Sequence, residues 1–368
     1  MSTIVIASGG TGGHLYPTIA VAEAIRAVHP ELRIVFVGTH DRIESREVPK
    51  LGFEFFPIRI QAPGRSPVQL LKFPTMLYGA YRRSKAILKE VGASAFLGGG
   101  AYLSVPVALA AKNAGIPVSL LEINAVVGRA NRTLATKADK IFVSYPEAIN
   151  QFPQAIRSSI QTIGTPVRDG ILHRMDAQSA RTKFNIDPDR TTLLVFGGSL
   201  GARSINAAMA KSIKTFIEAG VNVIWQTGSS AKVNDLRQEF EIPGRVWIRE
   251  FISEMPAAYA AADLVVSRAG ASTLAELSTL GKTAILVPYP LAAMDHQTKN
   301  AEAYSSRGAA RVITDEQLPL NFEASVLELL NNEELRMSYA KKMLASENIT
   351  AGNVVAEYLI GQAMRTKK

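Results

Sequence analysis

The same succession of features occurs twice in this chain of 368 residues: an apolar run, a glycine-rich turn and a helical pattern. The first copy is Ile6–Gly13 and the second is Val195–Gly201. Glycines let the backbone turn tightly, and the amides at the start of the following helix attract anions. Each copy therefore predicts a βα unit with a phosphate-type loop, and two copies predict two similar domains.

Short apolar runs alternate with helical patterns along the whole chain, which is typical of parallel sheets covered by helices. The first predicted helix runs from Gly13 to about Val28. The predicted strands are Thr3–Ala7, Ile34–Val37, Ala95–Leu97, Val118–Leu121, Lys140–Val143, Thr192–Phe196, Val223–Gln226, Val246–Ile248, Leu264–Ser267 and Ala284–Val287. The expected fold class is α/β, with two tandem Rossmann-like, doubly wound domains.

The joint between the domains is expected near Gly164–Arg168, where a strand-like run meets a proline. We therefore assign residues 1–164 to an N-terminal domain and residues 165–345 to a C-terminal domain. The last helical pattern, about Gly352–Met364, lies in a separate C-terminal segment, residues 346–368.

The composition restricts the classes of protein to which the chain can belong. It has no cysteine, so disulfides and thiolate metal sites are excluded. The run Met1–Ala7 lacks the features of a signal peptide, and no apolar stretch approaches the roughly 20 residues of a membrane-spanning helix. A net charge of +9 favours anionic partners. No nucleic-acid motif accompanies this charge, so we expect no nucleic-acid partner.

His14 follows the first glycine loop, at the start of a predicted helix. A helix N-terminus disfavours the protonated imidazole, and a neutral imidazole can accept a proton from a hydroxyl group. The alternative is that His14 only caps the turn. The second strand ends in Val37-Gly38-Thr39-His40, without the acid that binds ribose in dinucleotide-binding domains. This argues against a nicotinamide oxidoreductase.

In the second half, Ser267–Glu276 again leads from a strand through small residues into a helix. The small side chains let a diphosphate approach the backbone, Arg268 adds positive charge, and Glu276 can accept hydrogen bonds from a ribose diol. An acid near a helix N-terminus also has a purely structural explanation. The polar run Asp295–Ala301 is suited to sugar hydroxyls. Asp187-Pro188-Asp189 matches a metal-binding Asp-x-Asp but precedes a strand, so we interpret it as a turn and expect no protein metal site.

The segment from Arg59 to Lys89 has the composition of a basic amphipathic surface, which can insert apolar side chains among the headgroups of an anionic membrane. A solvated helix face over the core is the alternative. The residues concerned are Arg65, Leu70, Leu71, Lys72, Phe73, Met76, Leu77, Tyr78, Tyr81, Arg82, Arg83, Lys85 and Lys89.

Together these motifs resemble those of the MurG family, the peptidoglycan N-acetylglucosaminyltransferases of the GT-B architecture in glycosyltransferase family 28. The similarity covers nearly the whole chain, and the order and spacing of the motifs make it specific. It rests on Gly9–His14 with Pro17, Gly98–Pro106, Glu122 with Asn124, Gly164–Arg168, Gly197–Ala202, Phe251-Ile252, Ser267–Glu276 and Asp295–Ala301.

The resemblance implies a deep cleft between an acceptor-binding, membrane-facing N-terminal domain and a UDP-sugar-binding C-terminal domain, with the C-terminal helix returning to the N-terminal domain. It implies inverting transfer of GlcNAc from UDP-GlcNAc to the MurNAc C4 hydroxyl of lipid I, which gives lipid II for peptidoglycan synthesis. The implied partners are UDP-GlcNAc, the undecaprenyl-diphosphate-linked MurNAc-pentapeptide and an anionic membrane surface, at the cytoplasmic face; cell-wall synthesis proteins stay open. No cofactor is expected, and assistance by a soluble divalent cation stays open.

The resemblance also implies roles for individual residues. The candidate bases are His14 and Glu122. Implied donor contacts are Thr11, Gly12, Gly13, Asn124, Arg168, Ser199, Ile252, Ala271, Ser272, Thr273, Leu274, Ala275, Glu276 and Gln297. Implied acceptor contacts are Gly10, Gly99, Gly100, Tyr102 and Ser104.

Two departures from the family pattern bear on specificity. Where the family has His-Glu-Gln-Asn, this chain has Leu121-Glu122-Ile123-Asn124, and Leu200 replaces a usual glutamine. These departures leave open that the chain is another GT-B glycolipid glycosyltransferase, which uses a UDP-sugar and a different lipid acceptor. A diacylglycerol glycosyltransferase is an example. A nucleotide-sugar 2-epimerase and a non-catalytic binding protein are further alternatives.

Overall fold

A computed structural model describes residues 2–61, 67–172, 175–344 and 348–365, without the side chains of residues 67–72 and 348. The chain divides into two compact units, Met1–Arg168 with Glu347–Lys368, and Asp169–Ser346. The boundary between the units thus follows Arg168, four residues beyond the expected one. The second boundary lies within residues 345–347, outside the described part of the chain.

The first unit contains a parallel sheet of seven described strands in the order β3-β2-β1-β4-β5-β6-β7. These strands are β1 Thr3–Ala7, β2 Arg33–Thr39, β3 Glu54–Ile58, β4 Ala93–Gly98, β5 Val118–Glu122, β6 Lys140–Val143 and β7 Ile160–Thr162. The helices between and after them are α1 Gly12–Val28, α2 Glu44–Lys50, α3 Pro67–Glu90, α4 Ser104–Asn113 and α5 Arg129–Leu134, with short 3₁₀ turns at Ala135–Lys137, Pro146–Gln151 and Gln154–Ser159.

The second unit contains a parallel sheet of six described strands in the order β10-β9-β8-β11-β12-β13. They are β8 Thr192–Phe196, β9 Asn222–Gln226, β10 Val246–Arg249, β11 Leu264–Ser267, β12 Ala284–Leu286 and β13 Arg311–Val312. The helices are α6 Asp169–Leu172, α7 Ala177–Lys183, α8 Arg203–Glu218, α9 Val233–Phe240, α10 Met255–Ala261, α11 Ala271–Leu280, α12 His296–Ser305, α13 Leu318–Asn331 and α14 Glu333–Met343, with a 3₁₀ turn at Ala293–Asp295.

Both sheets follow the same winding. The chain starts in the middle of the sheet, proceeds to one edge and then returns to build the other side, so the order reverses between β1 and β4 and again between β8 and β11. Ligands of doubly wound folds bind at such reversals, beyond the carboxyl ends of the strands. The predicted α/β class with two doubly wound domains is confirmed, and both glycine loops lie at these reversals.

The central strands were predictable because both of their faces are buried. β1, β5 and β8 are buried at every residue, so they appear in the sequence as continuous apolar runs. Three strands on sheet edges, β3, β7 and β13, were not among the predicted strands. These edge strands are short or partly exposed and lack such a run.

The C-terminal helix, α15 Ala351–Arg365, follows a 3₁₀ turn at Asn348–Thr350 and packs against α1, β1 and β4 of the first unit. Its buried side chains Val355, Leu359 and Ala363 recur every four residues, which gives one apolar stripe along the helix. The last segment of the chain therefore completes the cover of the first sheet.

The basic stretch predicted between Arg59 and Lys89 corresponds largely to α3. Ile87 and Leu88 are buried in the core, and Leu77 and Tyr81 pack against it. Tyr78 is 63% exposed. The cations Arg82, Arg83, Lys85 and Lys89 are exposed, whereas Arg65 and the side chains of Leu70, Leu71 and Lys72 lie outside the described residues. Among the described helices, none is long and apolar enough to cross a bilayer.

Leu359→Ala should destabilise the first unit by about 2–5 kcal/mol, because it leaves a cavity beneath α15. Urea unfolding followed by far-ultraviolet circular dichroism would measure this loss. Both tryptophans, Trp225 and Trp247, belong to the second unit. The urea midpoint followed by tryptophan fluorescence should therefore fall less than the midpoint followed by circular dichroism. The control, Glu357→Ala, changes an exposed residue of the same helix, and an equal shift in both variants would contradict the assigned role of α15.

Candidate active site

The predicted site residues follow strand ends in both units. Gly10–His14 follow β1, Gly99–Ser104 follow β4, and Glu122 and Asn124 lie at the end of β5. In the second unit Ser199, Ile252, Ala271–Glu276 and Gln297 follow β8, β10, β11 and β12. Because all strands of a sheet are parallel, each set lies along the carboxyl edge of its own sheet.

Two of the described hydrogen bonds hold His14 at the first turn of α1. Its Nδ1 lies 2.9 Å from the carbonyl oxygen of Gly99, and the Ser8 hydroxyl donates to the His14 carbonyl at 2.7 Å. A carbonyl can only accept, so Nδ1 carries the proton of the neutral ring and Nε2 carries the lone pair. This tautomer is the one that a general base at Nε2 requires.

The loop after β4 is tied to the loop after β1. The N–H of Gly99 donates to the carbonyl of Ala7 at 2.9 Å, and the hydroxyl of Ser104 donates to the same oxygen at 2.9 Å. Ser104 is fully buried, so the structure gives it a role in joining the loops. Tyr102 is partly exposed beside them, and burial raises the pKa of its phenol.

Glu122 is a buried carboxylate whose described bonds come from the loop after β5 and from Asn131 of α5. One oxygen accepts from the backbone and side-chain amides of Asn124 at 3.1 and 3.3 Å. The other accepts from the N–H of Gly128 at 2.8 Å and the Asn131 side chain at 3.0 Å. Glu122 is 1% exposed and would have to give up these bonds to take a proton from a hydroxyl group. The geometry therefore favours His14 over Glu122 as the base.

Two predicted contacts of the first unit have partners inside the protein. The N–H of Gly10 donates to Glu44 at 3.0 Å, so an acceptor contact at Gly10 would need another atom. The guanidinium of Arg168 lies 4.2 Å from the centre of the Tyr16 ring. This stacking fixes Arg168 beside α1, just beyond His14.

In the second unit the glycine loop after β8 is joined to the loops after β9 and β10. The side-chain amide of Gln226 donates to the carbonyl of Gly198 at 3.1 Å, and its oxygen accepts from the N–H of Ile252 at 2.9 Å. Ser199 is exposed on this loop, and its carbonyl accepts from the N–H of Ser229. Sequence reasoning missed Gln226; the signal was a polar side chain at the end of a buried strand.

The segment after β11 has the features of a diphosphate site. Gly270 precedes α11, whose first turn contains Ala271, Ser272 and Thr273 and no acidic residue. The amides of a first helical turn point out of the helix and attract anions. Leu274 and Ala275 are buried and pack α11 onto the core, so their side chains do not face the loop surface.

Glu276 is oriented by a residue that sequence reasoning missed. The hydroxyl of Tyr259 donates to Glu276 Oε2 at 2.8 Å, and Tyr259 is fully buried in α10. Since Glu276 is only partly buried, the bond fixes an acceptor at the surface of the unit.

Arg268, expected to add positive charge for a diphosphate, has several partners inside the second unit. It pairs with Asp315 at 2.5 Å and donates to the carbonyls of Val287 and Pro288 and to the hydroxyl of Ser204. These partners use its donors to join four segments of the second sheet's carboxyl edge.

Gln297 lies at the start of α12, and its side-chain oxygen accepts from the N–H of Tyr289 at 3.0 Å. This bond directs the NH₂ group, a donor, away from the backbone. Met294 and Asp295, shortly before Gln297, have φ values of 55° and 54°. Residues other than glycine rarely adopt such a left-handed backbone conformation. The loop before Gln297 is therefore held in one uncommon conformation.

The Asp-x-Asp sequence forms a turn, as interpreted. Asp187 accepts from the N–H of Asp189 at 3.0 Å and from Arg190 at 2.7 Å, and these bonds lower the pKa of its carboxyl group. Within the described residues, no three His, Asp or Glu side chains are grouped as metal ligands would be.

Comparisons with known proteins agree with this layout. Residues 4–143 match the glycosyltransferase family 28 N-terminal domain, and residues 192–352 match the corresponding C-terminal domain. A UDP-N-acetylglucosamine--N-acetylmuramyl-(pentapeptide) pyrophosphoryl-undecaprenol N-acetylglucosamine transferase of Salinibacter ruber is 38% identical over 98% of this chain and 97% of its own length. An enzyme of the same name from Thermodesulfovibrio yellowstonii is 39% identical over 96% and 97%.

Among solved structures, Acinetobacter baumannii MurG is 28% identical, covers 98% of this chain and 99% of its own, and has a TM-score of 0.73. A Listeria monocytogenes putative UDP-N-acetylglucosamine 2-epimerase, at 12% identity and a TM-score of 0.68, shares the fold alone. With both domains matched and relatives similar over nearly their full length, the chain belongs to glycosyltransferase family 28.

Proposed function

We propose that the chain transfers GlcNAc from UDP-GlcNAc to the C4 hydroxyl of MurNAc in lipid I, with inversion, to form lipid II. The names of its near-full-length relatives support this donor and this acceptor. The observation that carries the chemistry is the bond between His14 Nδ1 and the Gly99 carbonyl, which leaves the lone pair on Nε2.

The reaction is a single displacement. His14 Nε2 takes the proton of the acceptor hydroxyl, whose oxygen forms a bond to C1 of GlcNAc. The bond between C1 and the diphosphate oxygen breaks with its electron pair, and UDP leaves. The proposed sugar contacts of the first unit are Asn124, held by Glu122, and the loop Thr11–Gly13.

The donor is bound by the second unit. The first turn of α11 and Ser199 bind the diphosphate, and negative charge that grows there in the transition state strengthens these contacts. Glu276 binds the ribose, Gln297 the sugar hydroxyls and Ile252 the uracil. This proposal needs no metal bound by protein side chains.

The acceptor's lipid chain places the reaction at a membrane surface, which we propose is the cytoplasmic face. The exposed cations of α3 attract an anionic leaflet, and Tyr78 beside them is suited to the headgroup region. Among the described side chains of α3, Leu77, Ala80, Tyr81, Ile87 and Leu88 pack in or on the core, so the second half of this helix offers the membrane mainly its charges.

UDP release from UDP-GlcNAc, with and without a short-chain lipid I analogue, tests the proposed reaction. Release should depend on the analogue and yield a β-1,4-linked disaccharide. A diacylglycerol acceptor is the control for another glycolipid transferase. Release with diacylglycerol alone would favour that alternative, and conversion of the donor without any acceptor would favour an epimerase.

His14→Ala should lower kcat by about 10²–10⁴-fold, since general base catalysis contributes that much. Affinity for UDP, measured by calorimetry, should stay unchanged, because the residues proposed to bind the uracil, the ribose and the diphosphate are in the second unit. His29→Ala is the matched control, since His29 is in the same unit and pairs only with Glu31 at the surface in the contacts described. An unchanged kcat in His14→Ala would remove His14 as the base.

Replacing Arg82, Arg83 and Lys85 by alanine should weaken binding to phosphatidylglycerol vesicles by about 10²-fold, because each cation near the surface contributes roughly 1 kcal/mol. Vesicle sedimentation at low salt would measure the fraction of protein bound. The control removes three exposed cations of the second unit, Lys211, Lys214 and Lys341. Equal losses in both triple variants would show that net charge, rather than α3, determines attachment.

A further inference from the structure

Glu44, the first residue of α2, is a fully buried carboxylate that faces the first glycine loop. Its Oε2 accepts from the N–H of Gly10 at 3.0 Å. Its Oε1 accepts from the N–H of Thr39 at 3.0 Å and from the Thr39 hydroxyl at 2.7 Å. One side chain therefore joins the loop after β1 to the end of β2.

The surrounding backbone leaves a fitted space for this side chain. A Cβ atom at Gly9 would overlap the carboxyl carbon of Glu44, and one at Gly38 would overlap its Cγ. Gly9 also has a φ of 148°, which side chains rarely adopt. Both glycines are thus needed for the carboxylate to reach the loop.

The acid that sequence analysis did not find at the end of the second strand is therefore present, supplied by α2. It is directed inward, onto the loop, where it accepts from the amide of Gly10. Gly10 immediately precedes Thr11, the N-cap of α1, and His14 lies in the first turn of that helix. The conformation held by Glu44 consequently determines where α1 begins.

We propose that Glu44 is a positioning residue for His14, an inference that rests on the proposed role of His14 as the base. Glu44 fixes Gly9–Thr11 and with them the first turn of α1, so the imidazole meets the Gly99 carbonyl and presents Nε2 to the acceptor. Displacement of a reacting group by about 1 Å can cost 10²-fold in rate, so this placement matters for kcat.

Glu44→Gln tests the inference with little change in shape. Three donors face the carboxylate, and a glutamine amide has one accepting and one donating end, so at least one contact becomes donor against donor. We expect kcat to fall by about 10–10²-fold, while affinity for UDP is unchanged. Combined with His14→Ala, Glu44→Gln should cost little further, because residues that act through one group are not additive.

Asp139→Asn is the matched control. Asp139 also accepts from a backbone N–H, that of Val118 at 2.8 Å, and belongs to the same unit. It immediately precedes β6, at the amino-terminal edge of the sheet, whereas His14 follows the carboxyl edge. This variant should keep the wild-type kcat even if it is less stable. A fall in kcat equal to that of Glu44→Gln would overturn the positioning role.

The ¹⁵N chemical shifts of the His14 ring give a readout that does not depend on turnover. Glu44→Gln should shift His14 from the tautomer protonated at Nδ1 towards the mixture of a solvated imidazole. Unchanged shifts, or an equal loss of kcat with and without His14, would overturn the inference. If the shifts change but His14→Ala keeps full kcat, the positioning stands and the proposed base fails.

Discussion

At the carboxyl edge of a parallel sheet the chain leaves the hydrogen-bonding ladder, and the amides of the connecting loops need other partners. In the first unit two buried carboxylates supply them. Glu44 accepts from Gly10 and Thr39, and Glu122 accepts from Asn124 and Gly128. Each acid lies between two segments, so removing it would release both. The arrangement of the loops around His14 depends on these internal acceptors.

The second unit fixes its glycine loop without a carboxylate. The neutral amide of Gln226 joins Gly198 to Ile252. A buried negative charge at that loop would repel a diphosphate, whereas a neutral amide leaves the positive potential of the loop and of α11 in place. In the first unit the Gly10 amide is already offset by Glu44, so it adds no such potential for a second ligand. Under the proposed function, two loops of similar sequence thus serve different ends, one to place a base and the other to bind an anion.

The sequence predicted the parts of the fold that follow from burial and from glycine. The central strands, α1 and the start of each glycine loop agree with the structure because apolar runs and glycine turns are local signals. The edge strands β3, β7 and β13 were not predicted, because their exposed positions do not require apolar residues. The roles of Glu44, Gln226 and Tyr259 were not predicted for a different reason. Their hydrogen-bond partners are distant in sequence or lie on another segment. The pairing of Arg268 with Asp315 was not predicted either, because it spans 47 residues.

The departures from the family pattern differ in what they can affect. Leu121 and Ile123 are 1% and 3% exposed, so both side chains belong to the core beside Glu122 and cannot reach a ligand directly. They replace polar side chains next to a carboxylate whose described bonds come from the loop after β5 and from α5, so the loop keeps its anchor without them. Leu200, by contrast, is 74% exposed on the glycine loop of the second unit. An apolar side chain there cannot donate or accept a hydrogen bond, so Leu200 removes a polar group from the surface of this loop, whereas Leu121 and Ile123 change only the interior.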